Sequence, residues 1–371
     1  MENLTINIKD KNRDAQTKHK ADLFFYGDEG NPFLAPRGVH IAGNKLIVAD
    51  TAQNRVFIWH KIPTTTYAKP DIVLGQSAIT DSQRNAGGEI NGATLLYPSG
   101  IWSNGNKLII ADAWNHRVLI WQQFPVRNGQ PADVVIGQPD MQHNLPNVAG
   151  VGTVASAQNL YWPYGVWSDG KHLWIADTGN RRVLFYNTIP VKDYQAADKV
   201  IGKNSFEEKD YDHEHALWPY SIKVSPEGVL AISDTQYYRT LIWRNWQDAF
   251  TQTADIIIGQ PDLQSGGQNQ YRLTPQAHTL SWCYDIFMQD GALWLADTGN
   301  SRILFFKVIP VENNQPATDL YGNLNFETIG EHLEAGKEHS ERLYWPFSIS
   351  VSGDKLVVAD TGNHRIVFYN L

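Results

Sequence analysis

LVVADTGNHRIVFYNL, residues 356–371, ends the chain. An apolar run, a tight Asp-Thr-Gly-Asn turn and a second apolar run follow one another, the pattern of two strands joined by a turn. The same pattern stands at LIVADTAQNRVFIW (46–59), LIIADAWNHRVLIW (108–121), LWIADTGNRRVLFY (173–186), LAISDTQYYRTLIW (230–243) and LWLADTGNSRILFF (293–306). The turn aspartates are Asp50, Asp112, Asp177, Asp234, Asp297 and Asp360, at intervals of 57 to 65 residues. Regular recurrence of one supersecondary unit marks a repeat architecture.

Each unit holds two further pieces. An aromatic-Pro-x-small segment precedes the pair: APRGV (35–39), YPSGI (97–101), WPYGV (162–166), WPYSI (218–222), WCYDI (282–286) and WPFSI (345–349). A short apolar strand closing on glycine follows it: DIVLGQ (71–76), DVVIGQ (133–138), DKVIGK (198–203), DIIIGQ (255–260) and DLYGN (319–323). Val, Ile, Phe and Trp bounded by Gly, Asp, Asn and Pro are strand chemistry. Six units of four strands predict an all-β, six-bladed β-propeller. The last unit lacks its fourth strand, and ADLFFYG (21–27) fits the missing piece. That N-terminal strand is expected to complete the last blade and close the ring, removing an open edge. The organisation is then a polar extension, 1–20, and one propeller domain, 21–371.

The Asp-x-x-Asn-x-Arg core, as in Asp360-Thr-Gly-Asn363-His-Arg365, resembles the NHL repeat family across all six units. The resemblance implies a six-bladed propeller. It leaves function open, because such propellers include protein-binding and RNA-binding modules, and similar ones include metal-dependent lyases and hydrolases working at the channel mouth. The units here are longer than that family's, with the surplus mostly between the fourth strand and the next unit.

Composition narrows the choice. The 371 residues are 42% hydrophobic and 19% charged, so the chain is globular. A formal net charge of −8 disfavours nucleic acid and anionic membrane. The single cysteine, Cys283, excludes an internal disulfide. The N-terminus lacks a signal peptide's apolar core and no apolar run is long enough to span a bilayer, so the reading is a cytoplasmic protein.

Repetition also tells where not to look for chemistry. Turn Asp, Asn and Arg recur up to six times and read as structure. Asp is expected to cap the turn's N–H groups, Gly or Asn to take the left-handed position, and Arg to meet a carboxylate or carbonyls. The repeated Trp-Pro pairs are expected to fill space between blades.

Function is sought where one copy departs from the rest. Asp285 stands where the other units carry Gly38, Gly100, Gly165, Ser221 and Ser348, and Cys283 stands where they carry proline. A carboxylate on an inner strand is paired with backbone or water, or acts as a ligand, base or substrate anchor. Cys283 reads as a small buried hydrophobe or as a metal ligand. His215 and His278 precede the inner strands of units four and five, and with Asp285 and Cys283 form the candidate set for one divalent metal ion. The x position reads Arg37, Ser99, Tyr164, Tyr220, Tyr284 and Phe347. With Asp285 these aromatics offer a half-ring for a small ligand, or pack between blades. Two function classes follow. One is a binding or scaffold module taking a protein or small ligand on the loop face. The other is a metal-dependent enzyme, lyase or hydrolase, with its site around blades four and five.

Overall fold

A computed structural model describes residues 17–211, 216–328 and 341–371. Six four-stranded antiparallel sheets stand around a central axis. From blade 1 to blade 6 the inner strands are Gly38–Ala42, Pro98–Ser103, Pro163–Ser168, Pro219–Val224, Cys283–Gln289 and Pro346–Ser352. The outer strands are Ile72–Leu74, Val134–Ile136, Lys199–Ile201, Ile256–Ile258, Asp319–Tyr321 and, for blade 6, Leu23–Phe25. Leu23, Phe24 and Phe25 pair with Phe368, Val367 and Ile366, so the first strand of the chain lies beside the last.

The core is divided into six slabs, each between neighbouring blades. The slab joining blades 6 and 1 holds Phe25, Val39, Phe57, Trp59, Val357 and Phe368. Both faces of each middle strand are therefore buried, which is why these strands read as continuous apolar runs.

The repeated turn is a single polar device. In blade 3, Asp177 Oδ1 accepts the Tyr161 N–H at 2.7 Å, and Oδ2 accepts Asn180 Nδ2 and Arg182 Nε, each at 2.8 Å. Arg182 sends its remaining donors to the carbonyls of Ser156, Asn159 and Phe206. The aspartate thus ties down the segment entering the inner strand and does not cap its own turn, as the sequence had suggested. Burial pushes Asp50 and Asp234 up to about 6, against the pull of Arg55 and Arg239. The left-handed position falls one residue later than expected, on Asn54, His116, Arg181, Tyr238, Ser301 and His364. The turn glycine has another reason: a Cβ on Gly179 would lie 2.5 Å from the Tyr161 ring.

The threonine after the aspartate joins blades. Thr51, Thr178, Thr235, Thr298 and Thr361 donate to the carbonyls of Pro98, Pro219, Cys283, Pro346 and Pro36. The last of these links blade 6 to blade 1. Blade 2 carries Ala113 there. A carbonyl is all this staple needs, so Cys283 serves where other blades use proline.

Three of the surplus segments between blades cap the turns. Asn85, Asn147 and Asn269 form reciprocal amide pairs with turn residues Asn115, Asn180 and Asn300. Gln76, Gln138 and Gln260 bind the carbonyls of Asn54, His116 and Tyr238 at 3.0 to 3.1 Å.

Candidate functional site

The inner strands build the channel in layers: an irregular register at their starts lets two adjacent residues line it, and beyond that alternate residues face the axis. The first layer holds the x-position residues. Tyr164 stacks on Tyr220 at 4.7 Å, Tyr220 meets Tyr284 edge-on at 4.5 Å, and Tyr284 meets Phe347 at 4.3 Å. The Arg37 guanidinium lies 4.1 Å from the Phe347 ring centre and 5.1 Å from that of Tyr97. All four aromatics predicted as a half-ring come together with Arg37, and they pack on one another. The space left is a cavity of about 30 Å³, room for about one water. Tyr97, missed in the sequence, belongs to this plug. Burial pushes its hydroxyl up to about 12.

Beneath the plug lies the layer of small residues and Asp285. In blades 1 to 3 the next inner strand approaches closely: a Cβ on Gly38, Gly100 or Gly165 would lie 2.1, 2.6 or 2.3 Å from a neighbouring carbonyl oxygen. Blades 4 to 6 carry Ser221, Asp285 and Ser348 instead, so the ring admits side chains on one half only. Asp285 Oδ1 accepts from Ser221 Oγ, from Lys223 Nζ at 3.1 Å and from the Ile286 N–H at 2.9 Å. Oδ2 accepts from Ser348 Oγ at 2.8 Å and the Ile349 N–H at 2.9 Å. One carboxylate therefore spans three inner strands, and both oxygens are fully engaged. A bulge between Cys283 and Asp285 aims its side chain this way.

Lys223 and His40 were not singled out from the sequence. Two positions after the small residue, the inner strands carry His40, Trp102, Trp167, Lys223, Phe287 and Ser350, a third channel layer that period-two counting could have found. Lys223 is 11% exposed, paired with Asp285, and lies 5.1 Å from the Trp167 ring. His40 Nε2 donates to the Ser103 carbonyl at 2.9 Å. Burial drives its imidazole down to about 4.

The neutral form of His40 is the folded one, and this gives a pH dependence. Between pH 6.5 and 4 the unfolded chain takes a proton there and the folded chain does not, so this contribution is complete above pH 6.5 and is lost on acidification. It amounts to about 3 kcal/mol by pH 4. Asp50 and Asp234 titrate in the same range with opposite sign, so the useful comparison is with His40→Gln, which keeps a donor for Ser103. Urea unfolding at pH 7, 5.5 and 4 should show the wild type losing that much more stability than the variant. Parallel pH profiles would rule out a buried neutral histidine.

The predicted metal set does not assemble as one group among the described residues. Cys283 is fully buried among Ile258, Leu280 and Ile286, with Sγ 3.6 Å from Thr240 Oγ1, and burial pushes its thiol up. His278 lies in the segment before the blade 5 inner strand, where burial and Arg272 hold its imidazole below the usual range. His215 lies outside the described residues. No group of three or more His, Cys, Asp or Glu side chains among the described residues is placed to hold a metal.

Trp162 and Trp218 of the Trp-Pro pairs are half-buried, whereas Trp345 of the third pair, and Trp282 before Cys283, differ from expectation. Trp282 and Trp345 are 39% and 40% exposed and lie at the channel face instead of between blades. They adopt left-handed backbone, φ 50° and 52°, which turns the chain into the inner strand. Trp114, 40% exposed, stacks on Tyr97 at 4.5 Å and donates to the Tyr164 hydroxyl at 3.3 Å. Leu34, 45% exposed, completes an apolar crown on the face of the repeated turns.

No family model matches the chain, and no curated protein matches it. Among solved structures 621 chains are similar to it. One is the computationally designed Ika8 protein, with 7% sequence identity and a TM-score of 0.44, covering 95% of this chain and 100% of that one. A likeness at that level carries no argument about activity. No helix among the described residues is long and apolar enough to cross a membrane.

Proposed function

We propose that this chain is an NHL-type β-propeller acting as a binding or scaffold module, with a protein partner docked on its loop-bearing face. The observation that carries this reading is the crown of Leu34, Trp114, Trp282 and Trp345, which holds large apolar groups in water around the axis. Aromatic side chains grouped on one face are typical of the buried centre of protein interfaces. A small organic ligand needs a pocket of about 300 Å³ or more. The mouth offers about 30 Å³ and its rings would have to separate. The formal net charge of −8 weighs against nucleic acid. The enzyme reading draws less support, because both oxygens of Asp285 are committed to neighbouring strands. The sequence grounds for a cytoplasmic setting stand beside this reading.

The test is a substitution of the crown. Asparagine tolerates left-handed backbone, so Trp282→Asn with Trp345→Asn should keep the fold. Partners crosslinked to the wild type in cells of origin should be lost from this variant, with affinity for the purified partner falling about a hundredfold. Unchanged binding would sink the reading, and near-stoichiometric metal in protein purified without chelator would return the argument to the enzyme class.

A further inference from the structure

A recurring device closes the outer edges of blades 1, 2 and 4, and the edge of blade 3 lacks it. At the middle residue of each outer strand the N–H and C=O point away from the blade. In blade 1, the Val73 N–H is taken by Asn128 Oδ1 at 3.0 Å and its carbonyl by the Gly129 N–H at 2.9 Å. In blade 2, Asp193 Oδ1 and the Tyr194 N–H do the same for Val135. In blade 4, Asn313 Oδ1 and the Asn314 N–H do so for Ile257. Each cap comes from the following blade, between its third and fourth strands, with the sequence Pro-Val-x-Asn/Asp-x-Gln at PVRNGQ (125–130), PVKDYQ (190–195) and PVENNQ (310–315). The residue after the acceptor is left-handed in all three: Gly129, Tyr194 and Asn314. The other two edges differ: in blade 6 Thr66 and Ala68 bond Tyr26 and Gly27 just past the outer strand, and in blade 5 Asp319 Oδ1 accepts the Leu320 N–H while Lys18 and His19 lie against Asp319 and Tyr321.

Blade 3 should be capped by blade 4, but the segment there reads RNWQDAF (244–250). It forms a short helix, Trp246–Phe250, whose Trp246 packs on Phe185 and Trp174 and which sends no hydrogen bond to the strand edge. Val200 holds the same register against Leu184 as Val135 holds against Leu119. Its outward N–H and C=O have no hydrogen-bond partner among the described residues. Val200 is half-buried where Val73 and Val135 are 0% exposed. A groove of about 570 Å³ runs beside it, lined by Lys199, Val200, Phe206 and Phe250.

We infer that the outer edge of blade 3 is a docking site for an acidic peptide segment of a partner protein. That segment sets an aspartate carboxylate on the Val200 N–H and the next backbone N–H on the Val200 carbonyl. The chain's own three caps define the geometry, a form of edge recognition through the main chain. Charge defines the preference for aspartate. Lys199 is exposed, with Nζ 4.6 Å from the Phe250 ring, where the capped blades carry buried Ile72, Val134 and Ile256. A cation beside the site favours a carboxylate over a carboxamide. This site lies on the circumference and stands independently of the crown.

The probe is a fluorescent peptide copying Ile309–Thr318 with Asn313→Asp, titrated into the full chain. Anisotropy should report saturable binding, and deuterium exchange across residues 198–202 should slow by about tenfold in the complex. Val200→Pro removes the donor without breaking a ladder bond, since that N–H faces outward, and should abolish binding with the melting temperature nearly unchanged. Lys199→Glu should weaken binding about tenfold. The inference is overturned if the free chain already protects Val200 as it protects Val73 and Val135, if protection rises with protein concentration alone, or if Val200→Pro binds the peptide as the wild type does.

Discussion

Removing residues 1–27 is expected to lower stability by about 5 kcal/mol and the melting temperature by about 6 °C. The deletion takes away the outer strand of blade 6, and with it Phe25, whose ring is fully buried against Phe33, Trp59 and Phe368. Loss of a buried phenylalanine alone costs about 3–5 kcal/mol. The three strand pairs, the Asp22 N–H bond to Phe368 and the Ala21 N–H bond to Glu341 go as well. Arg365–Asn370 then becomes an apolar open edge, so aggregation on heating should accompany the loss. Deleting only residues 1–16 is the control, since it leaves the strand in place. Calorimetry on both truncations decides the matter. Equal melting temperatures would mean that the Thr361 link to Pro36 and the slab between blades 6 and 1 hold the ring without the strand.

The second large effect is at the turn aspartate. Asp177→Ala should cost about 3–5 kcal/mol, because it leaves the Arg182 guanidinium buried with its charge uncompensated. Both side chains are 0% exposed, and three hydrogen bonds to the carboxylate disappear together. Asp285→Ser provides the contrast. Serine is what blades 4 and 6 carry at that position, and the partner Lys223 retains some access to the channel. Its cost should be smaller, about 1–2 kcal/mol. Denaturant unfolding of the two variants reads the difference directly. A larger loss at Asp285 would mean that the channel network, and not the repeated turn, dominates the ring's stability.

These two predictions divide along the line between what recurs and what does not. Six copies of a strand-turn-strand pattern, a missing last strand and a matching N-terminal segment were all legible, because short apolar runs and turn residues are local signals. Asp285 was legible as an exception to the repeat. Its partners were only half legible: Ser221 and Ser348 stood at its own repeat position, whereas Lys223 lay two residues further on, among residues that differ in every blade. Trp282 and Trp345 misled, since size argued for burial and left-handed backbone placed them on the face.

By itself, the sequence determined the number of blades, the order of strands and the repeat position each residue holds, since each follows from spacing along one chain. Only the tertiary structure decided which of those residues touch. The ring brings Asp285 between strands from blades 4 and 6, more than sixty residues away on either side. It also closes the channel mouth with stacked rings and leaves Val200 uncapped. Contacts between blades depend on how closely neighbouring inner strands approach, and that distance is set by packing of whole sheets, which no local pattern encodes.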